Sequence, residues 1–528
     1  MRNPLVRRLR RLRRRRPAAS AVFVVMFGLA VLVALVSPGT TAAFEPAAPA
    51  ASESAAPDTQ AAFAGWREVR TEHFRIIYEP AHEAAAREVI SFAEDVYADV
   101  TDTFGYYPER VPVVIRGRTA TANGFYAPFP HHISLFVTSP SGVWMGARHE
   151  SWLRVLLTHE LTHFVQFTDR TGFFGGLSRI FGHDISVFSF PFMPGWYVEA
   201  PTTLNETRLT TGGRGRNPFF EMQVKAPVLE GKLWTLDQAS YESAFAPRGR
   251  IYIAGYVLAD YLRRAYGEGT YARVHREFER VPFFGVGRAI QKVTGDDLEE
   301  VYADMHADLI RRFAPDARLS TGRRVSPEAP GNWYLPIPTE RGLFGYVDAV
   351  DRRAGIYRSS AASFGRAEAE WDGELVLPAR LTDPFSFDVS ADGSRIAVAV
   401  SRQAPSHRAG SVSYSELWLY DVEGDGVGPG RRLTTGGRLW HPALSADGSR
   451  LVAVERRGSY SRLVEVDTDT GAVQVLHEPE RASVYTPRIA PDGTRIAFVE
   501  HSRGFQDVMI LEEGQGGAEN RVRPLGGR

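Results

Sequence analysis

Apolar and polar positions change their period several times along this chain, and each change marks an element. Val69, Thr71, Phe74, Ile76 and Tyr78 read as strand-like material around a short polar turn. From Ala81 to Phe104, Ala, Val, Ile and Phe share one stripe and Glu and Asp the other, which predicts an amphipathic helix. Val111 to Ile115 predicts a short buried strand. Asn123-Gly124-Phe125-Tyr126 followed by Ile133-Ser134-Leu135-Phe136 predicts a turn and then an edge strand, and His131 and His132 before it read as exposed turn residues. Trp152, Val155, Leu156, Phe164 and Phe167 recur at helical spacing, with Ser151 as N-cap and Gly172 as terminator. Helical patterns return over Tyr256 to Tyr266, Tyr271 to Phe278 and Asp296 to Phe313.

The period then shortens to two. Val389-Ser390-Ala391-Asp392-Gly393 is echoed by Leu444-Ser445-Ala446-Asp447-Gly448 and by Ile489-Ala490-Pro491-Asp492-Gly493. Each is an Asp-Gly turn between alternating apolar strands, at separations that suit four-stranded propeller blades. These repeats resemble the TolB-like β-propeller family. A degenerate blade is expected over Gly342 to Ser359, giving about three or four blades over 325–528. Closed propellers usually hold more, so the sequence reads as part of a longer protein, with a small closed or an assembled propeller as the alternatives.

Chemistry concentrates in His159-Glu160-Leu161-Thr162-His163, inside the apolar helix. Positions i and i+4 share a helix face, so two imidazoles can grip one metal ion while the adjacent glutamate reaches a water. Two histidines and a carboxylate on an apolar helix are costly to bury without such a partner. Downstream, Trp196-Tyr197-Val198-Glu199 resembles the W-x-x-E of the gluzincin peptidases, in which a second helix completes a zinc site. The resemblance, over about Trp66 to Ala317, implies an α+β zincin-like metallopeptidase domain with one catalytic Zn²⁺ held by His159, His163 and Glu199. It implies Glu160 as general base, and an edge strand above the metal that pairs with extended peptide. Tyr252-Ile253-Ala254-Gly255 is similar to a Y-x-x-G of the same enzymes, which makes Tyr252 the expected oxyanion donor, with Tyr241, Tyr256 and Tyr261 as nearby competitors. Ala200-Pro201 departs from the family's E-G-x-A, and a proline there is expected only if Glu199 lies in the first helical turn. Glu206 reads as an exposed helix charge. No acidic G-x-M-E-N strand for a substrate amino terminus is present, which favours endopeptidase action.

Nine arginines precede an uncharged apolar stretch, Ala18 to Val36, and Thr41-Ala42-Ala43 offers a small-residue cleavage site. Residues 1–43 thus read as a signal peptide or signal anchor, 44–65 as an Ala/Pro-rich linker, 66–318 as the peptidase-like domain and 325–528 as the propeller repeats. The expected location is periplasmic or extracellular, with an inner-membrane anchor through 18–36 as one alternative. The chain has no Cys, which excludes a disulfide framework. With those nine arginines removed, residues 44–528 hold 53 basic against 62 acidic side chains, so nucleic acid is not an expected partner. Two functions follow: an exported zinc peptidase whose propeller binds substrate or an envelope partner, or an envelope scaffold or TolB-like transport component acting through the propeller alone.

Overall fold

The computed structural model describes residues 65–526, except 118, 121, 139, 141–150, 246, 320–321, 323–330, 361–370, 382, 404–412 and 515–519. The expected signal segment and all but the last residue of the linker lie outside these. Residues from Gly65 onward form one compact unit.

The first half is a five-stranded sheet beside a helical bundle. Strands β1 (Arg67–Arg70), β2 (Phe74–Tyr78), β3 (Val111–Arg116), β4 (Gly124–Pro128) and β5 (His131–Phe136) lie in the order β1-β2-β3-β5-β4. The predicted turn at Asn123–Tyr126 is therefore mostly strand β4, and the edge role passes to it from β5. Ile133, Ser134 and Leu135 are fully buried between β3 and β4, as an interior strand requires. His131 opens β5 and bonds the Tyr126 hydroxyl, so it is not an exposed turn residue. The single helix expected from Ala81 to Phe104 is broken into α1 (Glu83–Ile90) and α2 (Ala93–Phe104), because Phe92 leaves the helical region and buries its ring.

Nine further helices follow among the described residues: α3 (Trp152–Thr168), α4 (Phe173–Phe181), α5 (Gly195–Arg208), α6 (Pro218–Leu229), α7 (Leu236–Ser240), α8 (Arg250–Tyr266), α9 (Thr270–Arg280), α10 (Gly285–Thr294) and α11 (Leu298–Phe313). The Ser151 side chain accepts the Arg154 N–H at 3.3 Å and caps α3 as expected, but the helix ends at Thr168 with Asp169 as its C-cap, before Gly172. From Leu156 to Thr168 every residue of α3 is buried, so it is the central helix of the region. Its sheet-side face joins one core with Ile76, Val113 and Ile115, and Phe167 at its end joins a second core with Trp196, Leu258 and Val274.

The second half consists of four antiparallel blades, three of four strands and one, the second, of five. The first holds β6 (Asn332–Thr339), β7 (Gly342–Asp348), β8 (Gly355–Ser359) and β9 (Glu374–Pro378). The second holds β10 (Phe387–Val389), β11 (Arg395–Gln403) and β12 (Ser413–Glu423), with short β13 (Gly426–Val427) and β14 (Arg431–Arg432) both on β12. The third holds β15 (Leu439–Leu444), β16 (Leu451–Arg457), β17 (Tyr460–Val466) and β18 (Val473–His477). The fourth holds β19 (Ser483–Ile489), β20 (Arg495–Ser502), β21 (Phe505–Glu512) and β22 (Arg521–Pro524). Gly393, Gly448 and Gly493 take φ of 71°, 67° and 75°, and each preceding Asp accepts the N–H two residues on, which fixes the turn.

The two halves meet through polar contacts. Ser413 Oγ accepts the Ala120 N–H at 3.0 Å, and the Arg456 guanidinium donates to the Ala120 carbonyl. Arg456 is buried with its guanidinium 3.4 Å from the Trp440 ring centre, and burial brings its pKa down to about 10. Arg248 pairs with Asp348 of β7 through both carboxylate oxygens, at 2.7 and 2.8 Å.

Candidate metal centre

The helical spacing places His159 and His163 on one face of α3, and α5 crosses that face carrying Glu199 and, two turns on, Glu206. His159 Nε2 lies 3.5 Å and His163 Nε2 3.4 Å from the same atom, Glu199 Oε2. All three residues are buried, and one ligand atom from each lies within 4.8 Å of the others. Ligands about 2.05 Å from a tetrahedral Zn²⁺ sit about 3.3 Å apart, so this spacing suits one shared ion as well as two long hydrogen bonds. The donor set, two neutral nitrogens and a carboxylate, is one that zinc takes with an open fourth position.

Pro201 lies inside α5 rather than at its start, and Glu199 is the helix's fifth residue, so the expected first-turn placement is corrected. A proline there leaves the Tyr197 carbonyl without its i+4 donor. Tyr271 Oη at 2.9 Å and Gln166 Nε2 at 3.4 Å donate to that carbonyl instead, which lets the helix run on to Arg208. Gly255 of α8 packs on the same stretch, where an added Cβ would stand 2.5 Å from the Trp196 carbonyl oxygen. Glycine is required there by the close crossing of α8 on α5.

Glu206 is the principal correction to the sequence reading. It is 1% exposed, not a solvated charge. Its Oε2 accepts from His159 Nδ1 at 2.8 Å, while its Oε1 accepts the Arg214 backbone N–H at 2.8 Å and pairs with Arg214 Nε at 3.1 Å. A carboxylate on Nδ1 fixes the tautomer that presents Nε2 to a metal. Among the described residues His163 Nδ1 has no hydrogen-bond partner, so the two imidazoles are supported unequally. Thr202 Oγ1 stands 3.3 Å from Glu199 Oε2.

These contacts set the proton affinities of the metal-free chain. Burial and the Arg214 charge oppose protonation of His159, but its ring N–H groups donate to the Glu199 and Glu206 carboxylates, which outweighs them and raises its pKa to about 9. Burial raises Glu199, yet the His163 charge and hydrogen bonds to both imidazoles win and hold it well below the usual carboxylate range. Burial pushes Glu160 up. Tyr252 is raised by burial and then by Glu199, which keeps the phenol protonated and able to donate. Its ring centre lies 6.4 Å from that of His159, and the Arg214 guanidinium covers it at 4.6 Å. A cleft of about 280 Å³ opens beside this group, with His159, Glu206, Arg214 and Tyr252 on its wall and Trp152, Phe219 and Phe220 among its apolar lining.

Behind α5 lies a second buried polar group. Glu279 is 2% exposed, and burial raises it to about 8, against a Ser189 hydrogen bond and with Asp169 adding to the rise. His275 stands between Tyr197 Oη (3.3 Å) and Asp169 (3.6 Å), and burial lowers its pKa. The folded chain thus holds a proton on Glu279 that the unfolded chain loses near pH 4.5. Stability attributable to this residue falls as pH rises from there to about 8 and the full cost is present above it. Glu279→Gln is expected to match the wild-type melting temperature near pH 4.5 and exceed it by several degrees at pH 8.5. Parallel melting curves across that range would refute a buried neutral Glu279.

No family model matches the chain. It is 25% identical over 456 residues to a Treponema pallidum (strain Nichols) protein named only "Uncharacterized protein", an alignment covering 84% of this chain and 39% of that one. It is 29% identical over 217 residues to the Tol-Pal system protein TolB of Jannaschia sp. (strain CCS1), covering 40% of this chain and 41% of that one. The chain thus spans about two fifths of the length of each. Among solved structures, TolB from Acinetobacter baumannii aligns at 17% identity and TM-score 0.26, over 37% of this chain and 43% of that one. The propeller domain of the Trilobed protease from Pyrococcus furiosus aligns at 13% and 0.26, over 37% and 55%. The four blades and the TolB sequence similarity define a helical α+β region joined to a TolB-like β-propeller.

Proposed function

We propose that the chain is an exported, zinc-dependent hydrolase of peptide bonds, carried by the convergence of His159 Nε2 and His163 Nε2 on one Glu199 oxygen. His159, His163 and Glu199 would hold the ion, and zinc bound there supplies a Lewis acid for water and a carbonyl oxygen. Glu160, buried and raised in pKa, takes the proton of the attacking water and passes it to the leaving amine. Tyr252 donates to the developing oxyanion. Glu206 orients His159, and β4 offers an edge along which an extended peptide can pair. The missing amino-terminal anchor favours endopeptidase action. The arginine-led apolar stretch of the sequence supports export to the periplasm or cell exterior.

A second reading is supported by the similarity to TolB: an envelope component that binds protein partners through its propeller, with the helical region as a scaffold. The relatives favour this reading over hydrolysis, since the one at 29% identity is a Tol-Pal system protein and the one at 25% carries no named activity. Metal content and peptide cleavage on the purified chain separate the two. The hydrolase reading expects close to one zinc per chain and cleavage of a mixed peptide library that stops on chelation and returns with zinc. Stoichiometric zinc without cleavage would leave the scaffold reading. A folded, zinc-free protein that takes up none would end the metal-centre assignment.

A further inference from the structure

An aromatic surface flanks the metal centre and nothing in the proposed chemistry uses it. Ile180 and Phe181 at the end of α4 are 76% and 69% exposed, and Phe284 and Phe190 are 69% and 50% exposed. These are not scattered residues. Phe173, Phe174 and Phe192 all pack on Phe283, with ring centres 5.0, 5.7 and 5.2 Å away, which joins α4, the 3₁₀ segment His183–Phe192 and the Pro282–Phe284 turn into one face. Soluble proteins rarely leave so large a contiguous apolar patch in water without a use for it.

Charge selects the occupant. Arg170, Arg179, Arg280 and Arg288 lie around the face with the carboxylates Glu109, Asp184 and Glu277, and Arg280 and Arg288 share Glu277 at 3.0 and 3.3 Å. The Arg288 guanidinium also lies 5.6 Å from the Phe284 ring centre. The chain beyond residue 43 is acidic in balance, so the excess of arginine around this face runs against the overall charge. Exposed Phe and Ile with guanidinium groups at the margin match a bilayer interface, where rings enter the acyl boundary and arginines meet lipid phosphates. The sequence carries a second membrane-directed feature, the uncharged stretch Ala18 to Val36 beside nine arginines.

We propose that this face, formed by α4, His183–Phe192 and Pro282–Phe284, docks the protein on an anionic bilayer surface. Phe190 packs on Phe167 at 5.6 Å and Phe167 on His163 at 5.9 Å, so the docked face lies two rings from the metal centre. On the hydrolase reading, that makes polypeptide segments at the membrane surface the substrate class. The docking itself is independent of that reading.

The chain has no cysteine, so single-cysteine reporters are unambiguous. Full-length Phe181→Cys and Phe284→Cys, each labelled with an environment-sensitive fluorophore, would be mixed with phosphatidylcholine vesicles with and without phosphatidylglycerol. Asp469→Cys, whose native side chain is 90% exposed on the propeller, serves as the control. We expect a several-fold emission rise and quenching by spin-labelled lipid at 181 and 284, strongest on anionic vesicles and absent at 469. Because the control shares any anchor, anchoring alone cannot produce that contrast. An unchanged signal at 181 and 284 on vesicle-bound protein, or an equal rise at all three sites, overturns the proposal. So does a concentration-dependent rise without vesicles, which would assign the face to a second copy of the chain.

Discussion

Glu160→Gln is expected to lower the rate of peptide hydrolysis by about 10²- to 10⁴-fold, the usual range for removing a general base, while zinc content stays at the wild-type level. The amide matches the carboxylate in shape, so the packing of α3 is preserved. Glu160 is not one of the three converging ligand residues, which is why binding and rate should separate. Its environment fits the role: it is 4% exposed, burial raises its proton affinity, and the charges of His159 and His163 keep the anion within reach. A carboxylate so placed can take a proton from water and release it again. The measurement is single-turnover cleavage beside metal analysis on the same preparations. A rate within threefold of wild type would remove Glu160 from the mechanism. Loss of zinc together with rate would instead give it a structural part in the centre.

The residues that face the centre were legible where the chemistry is local. An i, i+4 histidine pair on an apolar helix with a serine cap is a short-range pattern, and α3 forms as that pattern requires. Glu199 and Tyr252 came from family resemblance, and α5 and α8 bring both beside His159. What sequence alone missed is long-range. Glu206 looks like an ordinary helix charge until α5 is laid across α3, 47 residues away in sequence, and Arg214 has no motif at all. Its signal was present in one respect: Glu206 is seven residues after Glu199, so two carboxylates share a helix face. Pro201 read as a constraint on helix start because the donors replacing its missing N–H, Tyr271 and Gln166, come from other helices.

The propeller shows the same division. Three Asp-Gly turns gave three blades, but the first blade turns through Thr339-Glu340-Arg341-Gly342 and lacks that signal. A different phase runs through all four: Tyr334, Phe385, Trp440 and Tyr485 each stand eight residues before the turn glycines Gly342, Gly393, Gly448 and Gly493. In three blades the aromatic is followed by a left-handed residue and a proline, Leu335-Pro336, His441-Pro442 and Thr486-Pro487, at a bulge in the inner strand. In the second blade Phe387 takes the proline's place. Aromatic-to-glycine spacing was therefore the more complete repeat, and it places the first blade from Asn332 rather than Gly342.

Glu206→Gln is expected to weaken zinc binding about 10- to 100-fold, the range seen when the partner of a metal-bound histidine is lost. The amide keeps the volume of a side chain that has 1% exposure, so the change tests charge and hydrogen bonding rather than packing. Two consequences of the charge would disappear together. His159 Nδ1 and the Arg214 backbone N–H would be left to share one amide oxygen in place of two carboxylate oxygens, and Arg214 would lose the charge that offsets its burial. Competition against a chelator of known affinity reads the loss directly. The double variant Glu206→Gln with Arg214→Gln separates the two routes. If orientation of His159 is the main effect, the double variant binds zinc as weakly as Glu206→Gln alone. If an unpaired Arg214 repels the ion, removing it restores most of the affinity. Zinc affinity within twofold of wild type in Glu206→Gln would mean that the 2.8 Å contact to His159 supports the helix pair and not the metal.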